Sequence, residues 1–319
     1  MTENVLRVGL AGLGRHGMRY AQHLLAGDAP RARLVAVFRR DAEEGRAWAG
    51  PRNLALHASL EALVADPNVD VLVVALPPTE HPRAITLAAA AGKPILVEKP
   101  LAVDSRQAAE AVEVAAKAGI KAMVAQTMRF NSVVRAVRER IPAMGPLHLV
   151  AVNNRFEPAT RPWFNDPEQG GMIINTGVHS VDLLRFLTGA EVVEAKAFGR
   201  RVLTPEIDDA FAAVLRLEPG GILVTLDNSW ATGGRTGRLE IVGEKGQLAA
   251  DHVHSILREI HGRQMIKPPL PDSVPTVREV LRAFTTALQE GGPVPVPLEE
   301  GLKAVQGAEM IARAVAERK

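Results

Sequence analysis

The segment Leu6-Arg7-Val8-Gly9-Leu10-Ala11-Gly12-Leu13-Gly14-Arg15-His16-Gly17 predicts the fold of the N-terminal part of this chain. Its first half is a short apolar run that predicts a buried β-strand, and the helical pattern that follows it runs toward Leu25. Gly12, Gly14 and Gly17 have the spacing of a loop that binds a dinucleotide pyrophosphate. Glycine suits these positions because the turn is tight, the backbone approaches the phosphates closely, and the helix packs directly on the strand.

Short apolar runs alternate with Ala-rich helical segments from residue 5 to about residue 126. Several of the runs are continuously apolar, which is typical of parallel strands that are covered on both faces. We therefore predict an α/β domain at residues 1–126, with a doubly wound parallel sheet of the Rossmann type. The predicted strands are Leu6–Ala11, Leu34–Phe38, Val69–Ala75, Ile95–Glu98 and Ile120–Ala125.

Longer strand patterns, in which apolar and polar residues alternate, follow after about residue 140. This alternation is typical of antiparallel sheets, and Pro219-Gly220-Gly221 predicts a turn between two of the strands. We predict a second, α+β domain at residues 127–319. Its predicted strands are Leu147–Phe156, Val192–Arg200, Ala210–Leu217 and Gly221–Trp230, and its predicted helices are Val178–Leu187, Thr276–Glu290 and Leu298–Glu317.

The composition excludes several classes of protein. The 38 basic and 36 acidic residues give a formal net charge of +2, which does not indicate a nucleic-acid-binding surface. No stretch approaches the roughly 18 uncharged apolar residues of a membrane span, and the first residues lack the pattern of a signal peptide. We therefore expect a cytoplasmic protein without nucleic-acid or membrane partners. The absence of cysteine excludes disulfides and thiolate metal sites, and the scattered histidines predict no metal site.

Charged residues near the glycine loop bear on the choice of cofactor. A site that selects NAD places a carboxylate about 20 residues past the loop to bind the ribose hydroxyls. This chain has Arg39 and Arg40 there, and a guanidinium favours the 2′-phosphate of NADP, so we expect NADP with NAD as the weaker cofactor. The alternative is that both arginines are solvated and Asp41 binds the ribose. Arg15 and His16 are either phosphate contacts or exposed loop residues.

Two further groups of residues have positions that favour chemistry. Lys99 follows the strand that ends at Glu98, at the carboxyl edge of the sheet where open α/β folds bind their ligands. Asn175, His179 and Asp182 are separated by four and three residues, so a helix places them on one face.

Together these motifs resemble those of the glucose–fructose oxidoreductase, inositol dehydrogenase and rhizopine-catabolism (Gfo/Idh/MocA) family of nicotinamide-dependent oxidoreductases. The resemblance covers nearly the whole chain. It implies a Rossmann domain followed by a domain with a large, mostly antiparallel, open-faced sheet that forms homodimers or homotetramers. Beyond the glycine loop, the motifs are Asp66-Pro67-Asn68-Val69-Asp70, Leu76-Pro77-Pro78 with His81, Ala91-Gly92-Lys93, Glu98-Lys99-Pro100, Gly170-Gly171 and His179-Ser180-Val181-Asp182.

The resemblance also implies roles for single residues. Lys99 and His179 act in catalysis, Glu98 lies beside the cofactor, and the Lys99–Pro100 bond is cis. Two positions depart from the family: Asn175 replaces an aspartate, which removes a titratable group, and Arg39 replaces an acidic residue, which supports NADP. The residues that border the nicotinamide are Leu76, Pro77, His81, Lys99 and Gln126.

The chemistry of hydride transfer assigns tasks to these groups. Oxidation of a carbinol carbon requires loss of the hydroxyl proton, which a neutral His179 is suited to accept near neutral pH. Lys99 can hydrogen-bond the same oxygen and stabilise developing alkoxide charge, while Asn175 can hydrogen-bond a substrate hydroxyl. Asp182 orients His179 or binds a second hydroxyl. The alternatives are a structural role for the histidine and a solvated role for the carboxylate.

We therefore predict an NADP-preferring oxidoreductase that interconverts a secondary alcohol and a ketone on a polyhydroxylated small molecule such as a sugar or a cyclitol. Two other functions stay open. The same fold with a tightly held cofactor can cleave a glycosidic bond through transient oxidation. The second open function is that of a non-catalytic regulatory protein that senses NADP, which is favoured by Asn175 in place of aspartate.

Overall fold

The computed structural model describes residues 5–29, 31–158 and 162–317, which fall into two compact units. The first comprises residues up to Gln126 together with Pro275–Leu302, and the second comprises Thr127–Val274 together with the residues from Lys303 onward. The sequence-based division instead assigned all of residues 127–319 to the second domain.

The first unit contains a six-stranded, all-parallel sheet in the order β3-β2-β1-β4-β5-β6. The order reverses between β1 and β4, and the carboxyl ends of strands at such a point form the ligand crevice of a doubly wound fold. The predicted Rossmann architecture is therefore confirmed. Its elements are β1 (Leu6–Ala11), α1 (Arg15–Leu25), β2 (Ala32–Phe38), α2 (Ala42–Ala49), β3 (Ala55–His57), α3 (Leu60–Ala65), β4 (Val71–Val74), α4 (His81–Ala90), β5 (Ile95–Val97), α5 (Ser105–Ala118) and β6 (Ala122–Val124).

The second unit contains an eight-stranded sheet in the order β14-β13-β12-β11-β7-β10-β9-β8. All neighbours are antiparallel except β10 and β7, so the predicted large, mostly antiparallel sheet is confirmed. Apolar residues on one face form a core with α6 and α7. The elements are α6 (Ser132–Arg140), β7 (Leu147–Arg155), α7 (Gly171–Thr188), β8 (Glu191–Arg200), β9 (Ala210–Glu218), β10 (Ile222–Ser229), β11 (Thr236–Gly243), β12 (Gly246–Asp251), β13 (Ile256–His261) and β14 (Gln264–Ile266).

Two helices complete the chain: α8 (Thr276–Glu290) and α9 (Leu298–Ala316). Within the first unit, the ammonium group of Lys121 donates to the carbonyl oxygens of Ala287 (3.0 Å) and Gly292 (2.8 Å), which joins the end of α8 to the start of β6. The amphipathic pattern of α8 predicts a helix but does not specify which sheet the helix joins. Among the described helices, none combines the length and apolarity that crossing a lipid bilayer requires.

Candidate functional site

The glycine loop after β1 has the geometry of a phosphate cradle. Gly12 has a φ of +96°, and a Cβ atom there would lie 2.5 Å from the carbonyl oxygen of Ala75. A Cβ atom on Gly17 would lie 1.8 Å from the carbonyl oxygen of Gly12. Helix α1 begins after Gly14 without a side-chain cap, so its first N–H groups are available to an anion. The loop therefore fits the pyrophosphate of a dinucleotide, and Arg15 and His16 are exposed in its first helical turn.

The residues after β2 form a charged corner beside this loop. Arg39 donates from Nη1 to the carbonyl oxygen of Leu13 (3.2 Å) and forms an ion pair with Glu44 through Nη2. The carboxylate of Asp41 accepts the backbone N–H of Glu44 (2.9 Å) and caps α2. Arg40 is exposed. Arg39 thus contacts the phosphate loop itself, whereas the Asp41 side chain is engaged in capping a helix.

A buried carboxylate lies at the end of β5. Glu98 is 5 % exposed, and its Oε1 accepts a hydrogen bond from the hydroxyl of buried Tyr20 in α1 (2.9 Å). Its Oε2 accepts the backbone N–H of Lys99 (3.2 Å). Burial raises the pKa of Tyr20 well above its ordinary value, and the negative charge of Glu98 adds to this shift. The Lys99–Pro100 bond is cis, as expected from the resemblance.

Lys99 is held in an environment that disfavours its charge. Burial lowers the pKa of Lys99 from its ordinary value, and the neighbouring Glu98 carboxylate opposes that shift. The involvement of Tyr20 was missed in the sequence, because no local pattern connects a residue of α1 with one 78 positions later. The one feature of the sequence that could have drawn attention to Tyr20 is that it is the single tyrosine of the chain.

His81 connects the loops that follow β4 and β5. It is fully buried at the start of α4, with Nδ1 2.7 Å from the carbonyl oxygen of Pro100 and Nε2 3.0 Å from that of Leu76. Burial lowers the pKa of His81, and a neutral imidazole can donate to only one of these two oxygens at a time. His81 thus fixes the backbone around Leu76 and Pro77, which are themselves partly exposed.

Gln126, just after β6, carries a buried polar atom that fits a ligand site. The residue is 1 % exposed, and its Oε1 finds no hydrogen-bond partner within residues 5–29, 31–158 and 162–317. A buried amide oxygen without a partner is costly, so such an atom is expected to face a ligand or an ordered water. The oxygen of Gln126 and the cradle at Gly12 are both consistent with a bound dinucleotide.

Helix α7 carries Asn175, His179 and Asp182, as predicted. His179 is partly exposed. The amide nitrogen of Asn175 donates to the carbonyl oxygens of Gln169 (2.7 Å) and Gly171 (2.9 Å). An ionised aspartate cannot donate, so asparagine is suited to hold the start of this helix.

Asp182 has a partner that the sequence analysis did not foresee. Its side chain is fully buried, and both carboxylate oxygens accept hydrogen bonds from Arg129 at 2.6–3.0 Å. Arg129 lies in a turn of 3₁₀ helix 53 residues earlier, with its guanidinium 5.3 Å from the ring centre of Phe186. This bidentate pair gives Asp182 a structural role, because it joins α7 to the turn that carries Arg129.

Comparison with known proteins identifies the family. A model described as an oxidoreductase family with an NAD-binding Rossmann fold matches residues 6–126, and the model of the GFO/IDH/MocA C-terminal domain matches residues 134–249. The chain belongs to the Gfo/Idh/MocA family. As a member of the Gfo/Idh/MocA family it is an NAD(P)-dependent oxidoreductase, which confirms the predicted enzyme class.

Relatives within the Gfo/Idh/MocA family align along most of the chain. The inositol 2-dehydrogenase of Rhizobium meliloti is 29% identical over 98% of this chain and 98% of its own. The myo-inositol dehydrogenase Hyg17 of Streptomyces leeuwenhoekii is 30% identical over 76% of each chain. The structure of GenD2 from gentamicin A biosynthesis, in complex with NAD, superposes with a TM-score of 0.86 over 99% of this chain and 95% of its own, at 23% identity. That last similarity is one of fold.

Proposed function

We propose that this protein is an NADP-preferring dehydrogenase or reductase that moves hydride between the nicotinamide and a secondary alcohol or ketone of a cyclitol, sugar or related polyol. The observation that carries the proposal is the turn after β5, where Tyr20 holds Glu98 and burial lowers the pKa of Lys99. A lysine so perturbed at the ligand edge of a Rossmann sheet is a candidate for chemistry. Relatives named inositol dehydrogenases support the substrate class.

Each polar residue has a separate task in this proposal. The bound cofactor supplies the nicotinamide that accepts or donates the hydride. Lys99 hydrogen-bonds the reacting oxygen and stabilises its developing negative charge, while Glu98 fixes the backbone of the lysine. His179 accepts the hydroxyl proton in oxidation and returns it in reduction. Asn175 is a positioning residue, because its amide holds the first turn of α7.

The cofactor contacts of the proposal come from the first unit. The loop at Gly12, Gly14 and Gly17 binds the pyrophosphate, and Gln126 offers its buried amide oxygen to the nicotinamide side. Arg39 binds the 2′-phosphate, with Arg40 as an exposed second charge.

A screen of nicotinamide absorbance tests the proposed reaction. Cyclitols, sugars, sugar acids and their keto forms are incubated with the protein and either NADP or NAD, in both directions. We expect a change of absorbance with at least one polyol or keto-polyol, and faster turnover with NADP. Binding of the nucleotides without turnover on any compound would instead favour a regulatory protein. Release of a sugar without net change of absorbance would favour a redox-assisted glycoside hydrolase.

Replacing Arg39 tests the cofactor preference. In Arg39→Asp a carboxylate replaces the guanidinium that contacts the phosphate loop, and it repels a 2′-phosphate. We expect the NADP-to-NAD ratio of kcat/KM to fall about 100-fold, the equivalent of one charge-assisted hydrogen bond. Arg33→Asp is the control, because Arg33 is exposed near the start of β2, whereas Arg39 follows the carboxyl end of that strand. An unchanged ratio in Arg39→Asp would contradict the assignment.

We propose that the open face of the large sheet joins copies of this chain into a homodimer or homotetramer. This face is opposite the core, and it exposes Phe198 (63 %), Val214 (55 %) and Leu223 (51 %). Leu223 lies beside Leu149 of β7 in the register, which extends the apolar surface across neighbouring strands. Neighbouring exposed apolar side chains of this kind are typical of a surface that binds another protein molecule. Sedimentation velocity should show a dimer or a larger oligomer for the native protein. Leu223→Arg should shift the population toward monomer, because it places a charge in the apolar contact. A monomeric native protein would contradict the proposal.

A further inference from the structure

The ion pair between Arg39 and Glu44 brings an acidic side chain to the place where a 2′-phosphate is expected. Glu44 lies in the first turn of α2, and its carboxylate contacts the same guanidinium whose Nη1 donates to Leu13 of the phosphate loop. Asp41, three residues earlier, uses its side chain to cap the helix. At this corner the acidic residue in contact with Arg39 is therefore Glu44 rather than Asp41.

The first turn of α2 packs close to Leu56 and Arg39. A Cβ atom on Gly45 would lie 2.9 Å from a methyl group of Leu56, so glycine allows α2 to pack closely on β3. The same atom would lie 3.6 Å from the Cβ of Arg39, an ordinary van der Waals distance. Asp41 and Glu44 have the spacing of a capping box, in which the glutamate would turn back to the Asp41 N–H, but Glu44 turns to Arg39 instead.

We expect the Glu44 carboxylate to weaken the binding of NADP and to favour the binding of NAD. The 2′-phosphate of NADP carries up to two negative charges and is attracted by Arg39 but repelled by the adjacent Glu44 carboxylate. The ribose of NAD has a 2′-hydroxyl instead, which a carboxylate can accept as a hydrogen-bond donor. Since the Glu44 side chain is 58 % exposed, it is accessible to either group.

We propose that Glu44 is a specificity-determining residue that limits the preference for NADP by neutralising Arg39. The inference rests on the proposed function, which places the adenosine ribose of the cofactor beside Arg39. It adds Glu44 as a residue that repels the 2′-phosphate. The native protein then prefers NADP by a smaller factor than Arg39 alone would give, because Glu44 offsets part of the charge of the guanidinium. Removal of that carboxylate leaves Arg39 available to the 2′-phosphate.

The test measures nucleotide binding by calorimetry, without any substrate. The ligands are NADP and NAD, and also adenosine 2′,5′-bisphosphate and AMP, which differ only in the 2′-phosphate. For Glu44→Gln we expect about five- to tenfold tighter binding of NADP and of the bisphosphate, which corresponds to two unit charges about 4 Å apart with the screening of bulk water. Binding of NAD and AMP should be unchanged or weaker.

Glu43→Gln is the matched control. Glu43 is exposed, lies in the same helical turn and carries the same charge, but it forms no ion pair within the part of the chain that the structure describes. Its substitution should leave the affinities for NADP and NAD in their native ratio. Equal tightening of NADP binding in both variants would reduce the effect to net charge and overturn the inference.

The remaining outcomes separate this inference from the proposed function. Unchanged or weaker NADP binding in Glu44→Gln would overturn it, because Glu44 would then be inert or would position Arg39 for the phosphate. Tighter binding of NADP together with no turnover on any polyol would uphold the inference and contradict the proposed reaction. Failure of the native protein to bind any of the four nucleotides would overturn both.

Discussion

Lys99→Ala should lower kcat about 10³-fold while leaving the affinity for NADP within about threefold of native. Lys99 follows a strand end that is fixed from two sides, by the hydrogen bonds of Tyr20 and of its own backbone N–H to Glu98. The substitution removes the ammonium group but none of these contacts. The loss should therefore appear in the chemical step, since the group acts on charge that develops in the transition state.

The measurement compares single-turnover rates of the native protein and the variant on a substrate found by the screen. Lys117→Ala is the control, because Lys117 is an exposed lysine of α5 that pairs with Glu113 one turn earlier. A Lys99→Ala protein that kept more than a tenth of the native rate would contradict the catalytic role. Loss of NADP affinity with an unchanged rate constant would reassign Lys99 to cofactor binding.

The second large effect concerns stability. Asp182→Ala should lower the free energy of unfolding by about 3–5 kcal/mol, because it leaves the guanidinium of Arg129 without its carboxylate in a nearly dry environment. Asp182 is fully buried, and Arg129 is only 11 % exposed. Urea unfolding measures the change, with Glu110→Ala as the control, since Glu110 forms an exposed pair with Arg106 that contributes at most about 1 kcal/mol.

A combined variant separates the structural role of Asp182 from a catalytic one. Replacing both partners, Arg129→Met with Asp182→Leu, should recover part of the lost stability, because neither side chain then leaves a buried charge. Under conditions in which Asp182→Ala is folded, it should retain most of its kcat. A variant with native stability and a kcat lowered about 100-fold would show that Asp182 acts in the reaction, as the sequence alone suggested.

The local parts of the fold and site were predictable from the sequence. Gly12 and Gly17 signal their backbone geometry through residue type alone, because a side chain at either position would collide with a carbonyl oxygen. The apolar run at β1 and the helix α8 were predicted with the bounds that the structure has. Asn175, His179 and Asp182 were placed on one helix, since spacing determines which residues a helix brings to one face.

Strands such as β11 and β3 were not predicted from the pattern of apolar and polar residues. β11 alternates buried Leu239 and Ile241 with Arg238 and Glu240, so a period-two signal was present and was missed. In the first sheet, β3 carries less signal than β11, because it has three residues and none of them is buried. Short or mixed strands acquire their conformation from the neighbours with which they pair, and this information is not local.

The sequence also did not predict the hydrogen-bonded pairs of residues that are far apart in the chain. Tyr20 with Glu98 and Arg129 with Asp182 join residues that are 78 and 53 positions apart. Each pair depends on tertiary packing, and neither residue type indicates its partner. The Arg39–Glu44 pair is local, but a capping-box interpretation of Asp41 and Glu44 would direct Glu44 back toward the backbone.

Transfer of deuterium from a labelled substrate shows directly whether this protein moves hydride to the nicotinamide. A polyol found by the screen is labelled with deuterium at the carbon that is oxidised, and the nicotinamide product is examined by mass spectrometry and NMR. We predict that one deuterium per turnover appears at C4 of the nicotinamide with the native protein, and that Lys99→Ala and His179→Ala slow its appearance by about 10²-fold or more. Reduced cofactor without deuterium would contradict direct hydride transfer. Transfer at the native rate in both variants would contradict the roles of Lys99 and His179.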